Sequence, residues 1–337
     1  MAEPMLPSER VKAALARQDL DRPPISFWGH DYFAEWFPTK LAASTLAAAG
    51  GYGWDWIKLH GRLSVLAESL GAAFRPHPSG ETHPMVLRKR VERRADWFDV
   101  IDRAERTDLD TVLQEQLNVL RTVREAVGED MPIVQTVFSP ASVAGHLLGR
   151  DQNAVRRWLA DDPGLMSRVL TAISGYIGRF AQAALAEGAD GVFHAIFLYA
   201  TSDFMSEEEY RQTLLPYDQA VLEQAAAGWL NIVHPCGARI HFDLADALPV
   251  AALSWSVHDH GNPDVDEAHA RTDKGLVTGV RRDEYLLTGT PQEAYEEGLR
   301  LRAASVPGLM LSPDCSVSPW TRLRSDNLHE LLRGVRD

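Results

Sequence analysis

Residues 191–197 read Gly-Val-Phe-His-Ala-Ile-Phe, a short and almost wholly apolar run between two helical patterns over residues 163–187 and 206–227. The same alternation repeats along the chain. Eight such runs cover residues 25–28, 56–59, 133–138, 191–197, 230–234, 251–255, 276–279 and 309–311. Apolar strands that alternate with helices are typical of a parallel sheet with both faces covered. Eight strand–helix units therefore predict an α/β protein that closes into a single (β/α)8 TIM barrel.

One segment interrupts this period. Residues 85–101 are interpreted as an extended β-hairpin, inserted between the second and third units. No linker rich in Pro, Gly or Ser divides the chain, and no repeat of fixed length occurs, so we expect one domain over residues 1–337. A doubly wound open sheet is the alternative architecture that the alternation allows.

The composition argues against several classes of partner. The 337 residues include 34 Lys and Arg against 47 Asp and Glu, a formal net charge of -13. This charge disfavours a nucleic-acid partner, because phosphate backbones are bound by clustered basic residues. The apolar stretches are far shorter than the roughly 20 residues of a membrane span. Residues 1–10 lack the pattern of a secretory leader. We therefore expect a cytoplasmic protein with a small-molecule substrate and no membrane contact.

Polar side chains follow the predicted strands, on the face where a parallel barrel binds its substrate. These are His30, His60, Arg62, Tyr199, His194, His258 and Asp259. We expect the first four to bind substrate. Arg62 suits an anionic group, although pairing with Asp31 or Asp55 is an equal alternative. His258 beside Asp259 suits proton transfer, so we expect this pair to be catalytic.

The same face carries both cysteines of the chain. His234 and Cys236 are two positions apart on an extended stretch, so their side chains lie on one side of the backbone. With Cys315 from another strand end they supply three zinc ligands and leave a fourth position open. We expect Asp314 to orient His234, although an Asp at a strand end is often a cap. Small buried cysteines are also common in cores, so the residues alone leave zinc binding and core packing open.

Motifs spread over nearly the whole chain resemble the uroporphyrinogen decarboxylase superfamily, whose members are (β/α)8 barrels. The motifs are residues 9–15 with 21–24, 206–211 with 215–217, His-Pro-Cys-Gly at 234–237, Gly-Thr-Pro-Gln-Glu-Ala at 289–294, and 311–315 with 327–328. Their order and spacing together make the resemblance specific.

The haem-pathway decarboxylases of this superfamily differ from the chain at their functional positions. The two arginines that bind substrate propionates fall approximately on Gly29 and Phe33. The essential aspartate matches Arg62, a tyrosine falls at Val143, and the late histidine falls at Cys315. The resemblance therefore argues against tetrapyrrole decarboxylation.

The other branch contains the zinc-dependent corrinoid methyltransferases of the methylcobalamin:coenzyme M type. Its His-x-Cys and distant Cys motif matches His234, Cys236 and Cys315. The resemblance implies a Zn²⁺ ion and transfer of a methyl group between a corrinoid and a thiol. The donor is free methylcobalamin or a separate corrinoid protein, since the chain has no corrinoid-binding motif of its own. A homodimer is common in the family. A metal-dependent lyase or decarboxylase acting on a small acid and a non-catalytic zinc- or ligand-binding barrel are the alternatives.

Overall fold

The computed structural model describes residues 5–318 and 325–337. Residues 1–4 and 319–324 lie outside this range. They include part of residues 1–10, where no secretory leader is expected, and part of the segment between residues 311–315 and 327–328 of the last family motif. The strands in the described residues are β1 (Ile57–Leu59), β2 (Ala73–Arg75), β3 (Met85–Arg88), β4 (Ile133–Phe138), β5 (Gly191–Ile196), β6 (Ile232–Pro235), β7 (Ala252–Ser254), β8 (Gly275–Val280) and β9 (Leu309–Pro313).

Helices follow or precede most of these strands, as an α/β architecture requires. They are α1 (Pro7–Leu15), α2 (Pro38–Tyr52), α3 (Val65–Ser69), α4 (Asp96–Ala104), α5 (Thr111–Val127), α6 (Pro140–Leu147), α7 (Gln152–Asp161), α8 (Pro163–Ala186), α9 (Glu207–Thr213), α10 (Leu215–Gln224), α11 (Phe242–Asp246), α12 (Val265–Arg271), α13 (Pro291–Ala303) and α14 (Ser325–Arg336).

Seven strands form one curled parallel sheet in the order β1-β4-β5-β6-β7-β8-β9. The registers are parallel throughout, for example Ile57 with Ile133 and Val277 with Met310. The α/β class and the parallel pairing are therefore confirmed. The carboxyl ends of these strands lie at one edge, which positions the candidate site.

The first predicted strand, residues 25–28, is wrong as a regular strand. The described segment forms only isolated parallel bridges, Ile25 with Leu311 and Gly29 with Val317. The amide of Ile25 donates to the carboxylate of Asp55 at 2.8 Å, so a side chain takes the place of a ladder partner. The segment still joins both edges of the sheet: the amide of Ser26 donates to Leu311, and the amide of Asp55 donates to Ile25.

The hairpin predicted over residues 85–101 is not confirmed with those boundaries. β3 pairs antiparallel with β2, which lies upstream of the predicted segment, and residues 96–104 form α4. The reason is the spacing of Trp97, Val100, Ile101 and Ala104, which buries one face of a helix. The ribbon and α4 do lie between β1 and β4, the predicted position in the chain.

The helix predicted over residues 206–227 is divided into α9 and α10 at Leu214. Pro216 explains the break, because proline has no amide hydrogen to continue the helical ladder from α9. Ser206 accepts a hydrogen bond from the amide of Glu209 at 3.1 Å, which confirms the predicted start of α9. Among the described residues, no helix combines the length and apolar character that crossing a bilayer requires.

Candidate metal centre

His234 lies at the carboxyl end of β6, and Cys236 follows the strand directly. The amide of Cys236 donates to the carbonyl of Ile196 at 2.9 Å, which prolongs the extended backbone past Pro235. Gly237 then has a φ of 108°. A Cβ at this position would come within 2.6 Å of Leu198, so glycine suits both the backbone angle and the close contact. The turn directs the chain away and leaves both side chains at the mouth of the sheet.

Cys315 reaches the same point from the end of β9. His234, Cys236 and Cys315 each offer one ligand atom, and these three atoms lie within 4.8 Å of one another. The two Sγ atoms are 4.0 Å apart. A hydrogen bond from Cys236, with a further one from His234, holds the pKa of Cys315 well below its usual value. The same contact with Cys315 raises the pKa of Cys236 well above its usual value. The contact therefore favours a single thiolate, on Cys315, beside the imidazole.

Ser254, at the end of β7, holds the imidazole of His234 in place. Its Oγ lies 3.0 Å from Nδ1 of His234, which leaves Nε2 as the ligand nitrogen. The prediction that Asp314 orients His234 is wrong. Asp314 instead accepts a hydrogen bond from Ser256 at 3.1 Å and lies 4.0 Å from the guanidinium of Arg282. Ser254 and Ser256 are two positions apart, and nothing in the sequence indicates which of them contacts His234 and which contacts Asp314.

A cavity of about 490 Å³ opens beside the two thiols. Its wall includes Arg150, Arg282, His83 and His146. Burial, with Arg150 as a second cause, lowers the pKa of His83 to about 4 and that of His146 to about 3, so both rings are neutral near pH 7. The two guanidinium groups therefore supply the positive charge of the wall. None of these four residues was predicted as a site residue from the sequence.

His30 and His60 lie together at this mouth, with Glu35 between them. Nδ1 of His30 is 2.6 Å from Oε1 of Glu35, and Nε2 of His60 is 3.6 Å from the same oxygen. Burial raises the pKa of Glu35 to about 8 and lowers the pKa of both histidines to about 3. Lys58 contributes to the lowered values of both rings. Glu35 and Lys58 were not predicted as site residues.

Two of the predicted substrate ligands differ in their surroundings. Tyr199 lines the cavity and is almost completely buried. Arg62 does not line it. Its guanidinium forms hydrogen bonds of 2.7–2.9 Å with the carboxylate of Glu68. Among the described residues, this ion pair joins Arg62 to Glu68 rather than to the alternative partners Asp31 or Asp55, and the role of Arg62 in substrate binding stays a prediction.

The remaining predicted histidines are directed elsewhere. His258 contacts the carbonyl of Gly279 and the guanidinium of Arg281 at 3.3 and 3.4 Å. Neither His258 nor Asp259 lines the cavity beside the thiols, and their catalytic role stays a prediction. His194 is fully buried and bonds Asp218 at 2.7 Å. Its strand neighbours Phe193 and Ala195 line the space on the concave side of the sheet, so alternation directs His194 to the other side, toward α10.

The family model described as uroporphyrinogen decarboxylase (URO-D) matches residues 6–337. An α/β chain with a curled parallel sheet and this thiol-containing mouth therefore belongs to the uroporphyrinogen decarboxylase family.

Within the family, the chain is similar to methyltransferases. It is 23% identical over 292 residues to methylcobamide:CoM methyltransferase MtaA of Methanosarcina barkeri (strain Fusaro / DSM 804), which covers 86% of this chain and 82% of the relative. It is 25% identical over 229 residues to methylated-thiol--coenzyme M methyltransferase of Methanosarcina mazei, covering 66% of this chain and 57% of the relative. A solved methyltransferase structure from Methanosarcina mazei has the same fold, with a TM-score of 0.82, 22% identity and 98% coverage of both chains. The predicted corrinoid methyltransferase branch and the predicted enzyme class, a methyltransferase, are confirmed.

Proposed function

We propose that the protein is a zinc-dependent methyltransferase that moves a methyl group between a corrinoid and a thiol. The convergence of one imidazole and two thiols beside an open cavity is the observation that carries this proposal. Two cysteines and one histidine fit a catalytic zinc ion, because soft sulfur ligands suit zinc and the fourth position is left to substrate. When bound, the ion keeps a coordinated substrate thiol deprotonated at neutral pH.

The chain's own residues prepare this chemistry. Ser254 fixes the ring of His234, and the hydrogen bonds from Cys236 and His234 that lower the pKa of Cys315 favour a thiolate there. The cavity beside them has the size of a small ligand rather than of a macrocycle. Arg150 and Arg282 on its wall suit a thiol that also carries an anionic group.

The relatives indicate the donor. Their names specify a methylcobamide or a methylated thiol together with coenzyme M. We expect a corrinoid bound by a separate protein, or free methylcobalamin, to approach the mouth from outside the cavity. The segment containing Ile25 and Ser26, which bonds to both edges of the sheet, serves in this proposal as the eighth barrel strand and closes the wall behind the site. The homodimer stays a prediction.

A methyl-transfer assay tests the proposal. Zinc-loaded protein is mixed with methylcobalamin and a set of thiols that includes coenzyme M, and the cobalamin spectrum and the thioether mass are recorded. We expect demethylation of the corrinoid and one thioether per methyl group in the wild type, and loss of both in Cys236→Ser. His77→Ala, which changes a partly exposed histidine bonded to Ser79, is the control. Absence of thioether with every thiol, or equal turnover in Cys236→Ser, would contradict the proposal.

A further inference from the structure

We infer that His30, Glu35 and His60 form a second divalent-metal site, distinct from the cysteine-containing centre and facing the same barrel mouth. One ligand atom of each residue lies within 4.8 Å of the other two. Two imidazoles and one carboxylate are a ligand set that binds zinc and other first-row divalent ions. The inference uses none of the ligands of the first centre, so it does not rest on the proposed function.

The carboxylate of Glu35 has an unsatisfied oxygen that points to a missing ligand. Its side chain is 0% exposed, and Oε1 already contacts both histidine rings. Oε2 is buried and has no hydrogen-bond partner among the described residues. A buried carboxylate oxygen without a partner is costly, because the protein interior does not replace its lost hydration. A divalent cation that binds Oε2 together with the two rings removes this cost.

Local structure holds the three ligands in place without the ion. The carboxylate of Asp31 accepts hydrogen bonds from the amides of Phe33 and Ala34 at 3.2 and 2.9 Å. These hydrogen bonds lead into the tight turn Ala34–Trp36, in which Glu35 is buried. The ring of His30 stacks on Tyr32 with a centroid distance of 4.9 Å. Such support lowers the ordering cost of binding, as in other metal sites with fixed ligands.

The position of the cluster leaves room for ligands that the protein does not supply. His30 lines the large cavity, and both His30 and His60 line the smaller interior space that also contacts Cys236 and Cys315. An ion held by three protein ligands keeps at least one open coordination position. The chemical class of ligand that fits this position is an oxygen anion or a hydroxyl group at the mouth of the barrel.

The positive charge of Lys58 repels a cation bound at this site, so a substitution of Lys58 provides an independent test. Its ammonium lies over the rings of Phe193 and Trp28 at 4.6 and 5.6 Å, and it has no ion pair among the described residues. It competes with a cation for the charge of Glu35. We expect Lys58→Met to tighten metal binding at the second site about tenfold or more by removing the charge repulsion.

The experiment is a metal titration of the full chain after chelator treatment, with Co²⁺ and Zn²⁺ as the probes. We expect two equivalents in the wild type and one in Glu35→Gln and in His60→Ala. The remaining ion in these variants shows the thiolate-to-cobalt absorption band. The double variant Cys236→Ser with Cys315→Ser also binds one equivalent, but without that band. His77→Ala is the control and binds two.

The outcomes separate the two sites. A wild-type stoichiometry of one that disappears in the double cysteine variant would overturn the second site and leave the first intact. A stoichiometry unchanged by Glu35→Gln and His60→Ala would overturn it as well. A wild-type stoichiometry of one, without the thiolate-to-cobalt band and lost in Glu35→Gln, would instead contradict the first centre. If Glu35→Gln fails to fold, Lys58→Met decides, because an unchanged second Kd in that variant overturns the assignment.

Discussion

The Sγ atoms of Cys236 and Cys315 lie 4.0 Å apart, although 79 positions separate the two residues in the sequence. β6 and β9, which deliver them, are not neighbours in the sheet. The curl of the sheet therefore brings them together across its mouth. An approach of about 2 Å would give the sulfur–sulfur distance of a disulfide bond.

Removal of metal should expose this pair to oxidation. We expect chelator-treated protein to lose both free thiols when a mild oxidant is added, while zinc-loaded protein keeps them, because bound thiolates cannot reach each other. The measurement is a thiol titration with an intact-mass check for the loss of two hydrogens. The control Cys236→Ser keeps its single thiol free of any internal disulfide. Equal oxidation with and without zinc would count against shared coordination.

Ser254→Ala should weaken zinc binding through His234. The Oγ of Ser254 is the hydrogen-bond partner of Nδ1 of His234, and loss of such a partner typically lowers metal affinity about 10–100-fold. Competition with a coloured chelator measures the change. Ser256→Ala is the matched control, because Ser256 bonds Asp314 and not the histidine. Equal zinc affinities in the two variants would show that the hydrogen bond from Ser254 to His234 does not strengthen zinc binding.

Arg62→Met should destabilise the fold rather than substrate binding. Arg62 and Glu68 have side-chain exposures of 7% and 12%, and the variant leaves the carboxylate with the Ser64 hydroxyl but without its cationic partner. We expect the free energy of unfolding to fall by about 3 kcal/mol in urea denaturation. Arg93→Met removes a pair whose arginine is 81% exposed, so its effect should stay below about 1 kcal/mol. A stable Arg62→Met protein with a greatly raised KM would support the predicted role in substrate binding instead.

Glu35 should make the metal-free protein less stable as the pH rises. Burial raises its pKa from 4.5 to about 8 in the folded state, so the folded state binds the proton more tightly than the unfolded state. Its stabilising contribution is complete below about pH 4.5 and is lost as the pH rises through about 8. With chelator present, the wild type should lose stability relative to Glu35→Gln between pH 5 and pH 8. Glu105→Gln, at an exposed position, should show no such difference, and parallel curves for the wild type and Glu35→Gln would disprove the shift.

The sequence predicted the sheet well because its strands are buried on both faces. Residues 133–138 of β4 were predicted with the observed boundaries, and all six are buried. The segment 25–28 has the same apolar composition but is not a regular strand, because the carboxylate of Asp55 binds its amide. Such a contact joins residues 30 positions apart and leaves no local pattern. The pairing of β2 with β3 likewise depends on a contact that no local sequence pattern indicates.

The metal ligands were predictable for a different reason. His234 and Cys236 form a short motif with one residue between them, and Cys315 is the only other cysteine in the sequence. Glu35 was missed although a signal exists: it is the single charged residue in the otherwise apolar and aromatic stretch 32–37. Ser254 and Arg150 carry no comparable signal, since their roles depend on which strand end or loop faces the cavity.

X-ray absorption at the zinc edge tests the central claim most directly, because it reports the atoms bound to the ion. The account predicts two sulfur ligands at about 2.3 Å and nitrogen or oxygen at about 2.0 Å in zinc-loaded protein with one ion per chain. Addition of the thiol substrate should raise the sulfur count to three. A first shell without sulfur, or a sulfur count that every thiol leaves unchanged, would contradict the proposed centre and its role in binding the thiol.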